Sequence, residues 1–254
     1  MATERTRLGL LVGANTLRNP ALVSKMISTI DHASGGRAIC GLGGAWFEVE
    51  HAHDGYEFGR SPGQRLDWLD EAVPAVRGLL DGEVVSSPPD GRYPLHDARH
   101  APRPVQRHVP IMIGGGGEKK TLRTVAKYAD MWNGMGTLEA MRRKVEVLRA
   151  HCAAVGRDPA EIEMTLGIKA TIRDSQADAE RVMREHLEHN RTPLDRIEGD
   201  DTFTWNGPPE LLAEKLAPYL ELGFRTVISE QLAPFDTETL DRLVGEVKPL
   251  LERG

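Results

Sequence analysis

The chain has 254 residues, 40% hydrophobic and 28% charged, enough to bury a sizeable core and too apolar for a disordered chain. Its 32 Lys and Arg against 38 Asp and Glu leave a net charge of −6, which argues against the basic footprint of a nucleic-acid binder. No apolar run approaches the roughly eighteen residues of a membrane span, and Leu8–Val12 is too short for a signal peptide, so a cytoplasmic protein is expected. Cys40 and Cys152 each lie in a periodic apolar segment and read as buried, reduced thiols rather than nucleophiles.

Short apolar runs alternate with segments of helical period, the pattern of β/α units around a parallel sheet. The first strand is Leu8–Gly13. Asn19-Pro20 opens a helix carrying Leu22, Val23, Met26, Ile27 and Ile30, which Gly35-Gly36 ends. Arg37–Leu42 is the next strand. Pro62 starts a helix with Leu66, Leu69, Val73, Val76 and Leu80 on one face and Pro74 inside it. Helical period is lost between Gly82 and Pro110, where Val84-Val85, Gly91 and Arg92-Tyr93 suggest a small hairpin and then a Pro-rich crossing. This stretch is an insertion, not a linker.

Alternation resumes with strand Ile111–Ile113, helix Lys119–Ala129, strand Met131–Asn133 and a helix carrying Leu138, Met141, Val145, Leu148 and Cys152. Strand Ile162–Ile172 precedes a helix capped by Ser175. Asn190–Thr204 is polar and irregular and is expected to be the most mobile segment. Pro208-Pro209 starts a helix ending at Gly223, and strand Arg225–Ser229 and helix Thr237–Leu251 follow. Six main parallel strands are counted, short of the eight that close a (β/α)8 barrel.

Ligands of β/α folds gather where strands end, so the loops after the strands carry the functional candidates. Gly114, Gly115, Gly116, Gly117 and Glu118 stand between a strand and a helix, where close backbone approach and a helix N-terminus suit a phosphate. Lys119 and Lys120 could add charge, and a tight structural turn is the alternative. Gly41 to Trp46 leads into Phe47, Glu48, Glu50, His51, His53 and Asp54. Trp46 offers a flat wall for a planar ring, while the charged residues suit either a metal or plain solvation. Gly13, Ala14, Asn15 and Thr16 could bond the edge of a heterocycle or simply build a turn. Trp132 and Asn133 end a strand at the same rim, Trp132 being otherwise a core filler. His32, His96, His100, His108, His151, His186 and His189 are scattered without partners in sequence. No GxSxG, HExxH or CxxC pattern occurs, which weakens hydrolase readings.

Taken together, Leu10–Pro20, Ser34–Arg37, Gly41–Glu48, Pro110–Glu118 and Ala129–Asn133 resemble, in order and spacing, the bacterial luciferase-like monooxygenase family. Within it the chain is most similar to the branch using coenzyme F420, with FMN as the alternative. The resemblance implies a TIM (β/α)8-type barrel, here residues 1–254 as one domain, performing two-electron redox chemistry on a small organic substrate. By position, Gly114 to Glu118 would hold the cofactor phosphate. Val12, Gly13 and Asn15 would lie by the ring, beside a bulge that in this family often holds a non-prolyl cis peptide. Trp46 and Glu50 would be the catalytic residues at the ring or substrate, Glu50 as a partly buried proton donor, with Trp132 and Asn133 on the opposite rim. No metal is implied.

Family members begin two β/α units earlier, the second ending in an Asp-His-type motif. The expectation is therefore a barrel lacking its first two units, through a start codon set too late, with open edges at Leu8–Val12 and Thr226–Ser229. Such a chain should associate as a homo-oligomer or aggregate, and should bind deazaflavin weakly. Two other readings stay open: a non-catalytic partial barrel serving as an oligomer subunit, and an unrelated phosphate-binding barrel enzyme or metal hydrolase using His51, His53 and Asp54.

Overall fold

Apolar runs of four to ten residues become strands and the amphipathic segments between them become helices, in an α/β arrangement of parallel strands. The computed structural model describes residues 3–192, 204–231 and 233–253, which divide into two compact units, residues 1–133 with 147–162 and residues 134–146 with 163–254.

In the first unit the strands are β1 (Leu8–Gly9), β2 (Gly13–Ala14), β3 (Ala38–Gly43), β4 (Ile111–Gly114) and β5 (Met131–Gly134). Both β1 and β2 pair with β3, β3 pairs with β4 and β4 with β5, always in parallel. The expected first strand is therefore broken. Gly9 lies opposite Ile39 and Gly13 opposite Leu42, so Leu10, Leu11 and Val12 face only Cys40 and Gly41, which makes a β-bulge. The Leu11–Val12 peptide within it is cis. Ile111, Ile113 and Trp132 are fully buried, as befits central parallel strands covered on both faces.

Helix α1 (Pro20–Ser34) starts where the Asn19 side chain accepts from the Ala21 amide and stops at Gly35, in the left-handed region at φ 67°. A short helix the sequence did not suggest, α2 (Glu48–Asp54), follows β3. Helix α3 (Pro62–Asp81) buries Leu69, Val73 and Val76, and α4 (Thr121–Tyr128) buries Leu122 and Val125. Helix α5 runs from Leu138 to Val155.

The Gly82–Pro110 insertion is braced rather than loose. Its arms close through Val85 with Ala98 and Ser87 with Leu95, so the pairing partner of Val85 lies beyond Arg92-Tyr93. Glu71 of α3 accepts from the amides of Arg92 (3.0 Å) and Tyr93 (2.9 Å). On α1, Asp31 accepts from the Gln106 amide at 2.9 Å, and Ser28 Oγ lies 2.6 Å from His100 Nε2.

The second unit contains β6 (Glu163–Ile172), α6 (Gln176–His189), β7 (Thr204–Gly207), α7 (Pro209–Leu222) and β8 (Phe224–Glu230). Ser175 caps α6 by accepting from the Asp178 amide. Both β7 and β8 pair in parallel with β6. Strand β7 is an addition to the six expected. The segment expected to be mobile falls mainly on residues 193–203, which lie outside the described residues. The terminal helix is split into α8 (Thr237–Arg242), a π-helical turn Leu243–Val247 and α9 (Lys248–Arg253). Pro249, which cannot bond the carbonyl four residues back, explains the widened turn just before it.

Candidate functional site at the ends of strands β2, β3 and β4

The loops singled out in sequence meet within the first unit. Val12, half-buried in the bulge, folds over the ends of two strands. A Cβ placed on Gly43 would lie 2.6 Å from Val12 Cγ2, and one on Gly114 would lie 2.8 Å from it. A Cβ on Gly41 would run into the Leu10 carbonyl. Glycine is needed at the ends of β3 and β4 because another chain segment crosses them, and Val12 becomes a backstop across both. Leu66 of α3 joins the next pair of loops, 2.8 Å from a Cβ placed on Gly44 and 3.7 Å from one on Gly117.

The tetraglycine loop has the carbonyls of Gly115 and Gly117, and that of Glu118 after it, bonded to the protein. Gly115 O accepts from the Trp132 indole (2.8 Å), Gly117 O from the Leu122 amide (3.0 Å), and Glu118 O lies 2.8 Å from His151 Nε2. The Gly115 amide donates to Asn133 O at 3.2 Å. Among the described residues no acceptor takes the amides of Gly116 or Gly117, and Gly117 is exposed just before α4. That arrangement fits an anion: two free donors on an accessible loop at the positive end of a helix. The Lys120 ammonium donates to Asp67 Oδ1 (2.6 Å) and Gly63 O (3.1 Å). Lys119 is exposed.

The structure places the other expected residues as follows. Asn15 is 1% exposed and its Nδ2 donates to the Tyr93 hydroxyl (2.9 Å), which donates back to Asn15 O (3.0 Å), so its side chain is held in the turn by Tyr93. Burial pushes the Tyr93 hydroxyl up to about 12, which keeps it a donor. Trp132 is fully buried, and its indole and the Asn133 carbonyl hold Gly115 in place. Glu50 is exposed on α2, not partly buried.

Trp46 stands out from the surface, 79% exposed, its ring 5.3 Å from that of Phe47. The preceding Ala45 has φ 63°, and its carbonyl is held at 3.3 Å by Nε of buried Arg65, whose guanidinium stacks 3.8 Å over Phe58. His51 is buried with both ring nitrogens engaged, so it does not join His53 and Asp54 as a metal ligand. No group of three metal-binding side chains occurs among the described residues. The remaining histidines follow the bland expectation where they are bonded: His32, His100, His108 and His151 each engage a nearby polar group. Cys40 is inert, its thiol pushed up to about 12 by burial.

Sequence reasoning missed Leu66, Arg65 and Tyr93 as parts of this site. Leu66 carries only the signal of a core-facing helix position, and Tyr93 lies in the insertion, whose path no periodicity reveals.

The sequence profile of the family described as luciferase-like monooxygenase matches residues 1–226. An uncharacterized protein of Mycobacterium tuberculosis is 31% identical over 174 residues, which cover 66% of this chain and 57% of that protein. The FMNH(2)-dependent dimethylsulfone monooxygenase of Pseudomonas putida is 27% identical over 170 residues, covering 66% of this chain and 45% of the relative. The chain thus spans about half the length of the curated relatives it matches. The coenzyme F420 dependent tetrahydromethanopterin reductase from Methanopyrus kandleri shares the fold at a TM-score of 0.78 and 19% identity, over 98% of this chain and 84% of that one.

Proposed function

This chain belongs to the luciferase-like monooxygenase family, and from that premise we propose that it is an oxidoreductase acting on a small organic substrate with coenzyme F420, or alternatively FMN, as cofactor. The observation that carries this reading is the Gly114–Glu118 loop, whose carbonyls are tied back by Trp132, Leu122 and His151 while the Gly116 and Gly117 amides stay free for a phosphate. Relatives of both cofactor types support it. When bound, such a cofactor supplies hydride transfer or, as a reduced flavin, oxygen activation.

The residues of the chain then divide the work. Gly116 and Gly117 hold the anionic tail, and Val12 backs the ring across the ends of β3 and β4. Trp46 and Phe47, just before α2, cover the ring and substrate and exclude water. Glu50 exchanges a proton with the substrate. We place the protein in the cytoplasm as a single-domain homo-oligomer. This is supported by its buried free cysteines and by the exposed Leu10 and Leu11 beside β1. No helix of the described residues is long and apolar enough to cross a membrane.

Fluorescence titration of the purified chain with coenzyme F420 and with FMN tests the proposal. Saturable binding of one is expected, weakened about tenfold, or ~1.4 kcal/mol, by Gly117→Ala, whose Cβ meets Thr121 Oγ1 and narrows the cradle. Saturation by neither, with the fold intact by circular dichroism, would overturn it.

A further inference from the structure

A seven-residue helix such as α2 does not hold its own direction, because nucleation is costly and few intrahelical bonds repay it. The Phe47 side chain supplies no cap hydrogen bond to it. Its orientation is set from outside, and His51 is where that happens. Nδ1 lies 2.9 Å from Phe47 O, an acceptor only, so Nδ1 carries the proton and donates. Nε2 bonds the Thr16 hydroxyl, 2.6 Å away, which can serve it as donor or acceptor. The ring also meets the edge of Phe58 at 4.8 Å, and Phe58 lies under Arg65, which holds the Ala45 carbonyl. The segment that carries Trp46 and Glu50 is thereby tied before it at Ala45 and within it at His51.

Thr16 belongs to the 3-10 turn Asn15–Leu17, directly after β2 and three residues beyond the cis Leu11–Val12 peptide. The same turn is clamped on its other side by Tyr93, through the paired bonds to Asn15. His51, Thr16, Asn15 and Tyr93 are all buried, so these bonds do not compete with water, and leaving one partner unpaired is costly.

We propose that His51 is a positioning residue that locks α2 to the Asn15–Leu17 turn, so that the Trp46–Glu50 rim and the Val12 backstop form one rigid wall for cofactor and substrate. The cofactor half of this inference rests on the function proposed above; the mechanical half does not.

Thr16→Val removes the hydroxyl at constant shape, Thr16→Ser retains it, and His51→Phe keeps the ring packing while losing both hydrogen bonds. Amide hydrogen exchange without ligand, on variants shown to unfold cooperatively, reads the lock directly. Exchange across residues 47–55 should accelerate at least about tenfold in Thr16→Val and His51→Phe and stay at the wild-type rate in Thr16→Ser. Titration with coenzyme F420 and FMN should show the first two variants binding about tenfold more weakly, with Thr16→Ser unchanged. Unaltered exchange in Thr16→Val overturns the lock whatever the titration shows. Accelerated exchange with unaltered affinity overturns the positioning role. Wild-type protein saturated by neither cofactor overturns the proposed function and the cofactor half with it, while exchange still decides the lock.

Discussion

Val12 and Gly43 show how a single side chain can define a site. Val12 reaches across the ends of β3 and β4 only because Gly43 and Gly114 lack Cβ atoms. Gly43→Ala would put a methyl 2.6 Å from Val12 Cγ2, well inside van der Waals contact, and must push the backstop outward. This substitution is expected to cost ~1–3 kcal/mol of stability and to weaken cofactor binding, read by thermal melting and titration side by side. Glu50 belongs to the same scale. It is exposed on α2, within the segment that carries Trp46. If it exchanges a proton with substrate, Glu50→Gln should lower kcat by about 10²-fold or more and leave cofactor affinity and melting temperature near wild type. A fall in affinity with kcat intact would assign it to binding instead.

At the scale of elements, short pieces are fixed by the polar groups at their ends. Helix α8, six residues long, begins at Asp236, whose carboxylate accepts from the Thr239 amide (3.1 Å), the Thr239 hydroxyl (2.7 Å) and Arg173 (3.1 Å). Thr239 Oγ1 in turn accepts from the Ile172 amide at 2.8 Å, which ties the helix to the end of β6. Burial alone would raise the Asp236 pKa, but the hydrogen bonds from Thr239 and Arg173 outweigh it and hold the carboxyl below the usual range. A carboxylate depressed on folding contributes stability above its unfolded pKa and loses it as pH falls through the folded value. Asp236→Asn should therefore lower the melting temperature at neutral pH, and the gap to wild type should narrow as the pH is taken down through and below the ordinary aspartate value of about 3.9. A gap that stays constant with pH would show that the cap acts by shape and not by charge.

For the molecule as a whole, each unit exposes an apolar groove beside a strand. In the first, a cavity of about 340 Å³ is lined by Leu8, Leu10, Val23, Met26, Ile27 and Ile30, with Leu11 and Leu22 each half-exposed nearby. In the second, a groove of about 520 Å³ is lined by Leu216, Leu220, Val227, Leu240, Leu243 and Leu251. Apolar surface of this kind is the sort that a second chain can cover. Light scattering across a concentration series should show self-association, reduced by Leu11→Ser with Met26→Lys. A monodisperse monomer at every concentration would remove the oligomer from the proposal.

Much of this protein could be read from its residues alone, for reasons that are local. Alternation of short apolar runs with helical periods marks parallel β/α units, and Asn19, Gly35, Ser175 and Gly223 punctuate helices because capping depends on neighbours within a few positions. Glycine-rich strand ends likewise announce where backbone must come close to something. What approaches them could not be read. Val12 over Gly43 and Gly114, Leu66 between Gly44 and Gly117, and Tyr93 on Asn15 pair residues far apart in sequence, through a bulge and an insertion that carry no periodic signal. Asn15, Trp132 and His51 each carried both a ligand-facing and a structural reading in sequence, and only tertiary contacts supply the partners they have here. A polar side chain's role depends on whether the fold or the solvent satisfies it, and only the packed chain decides that.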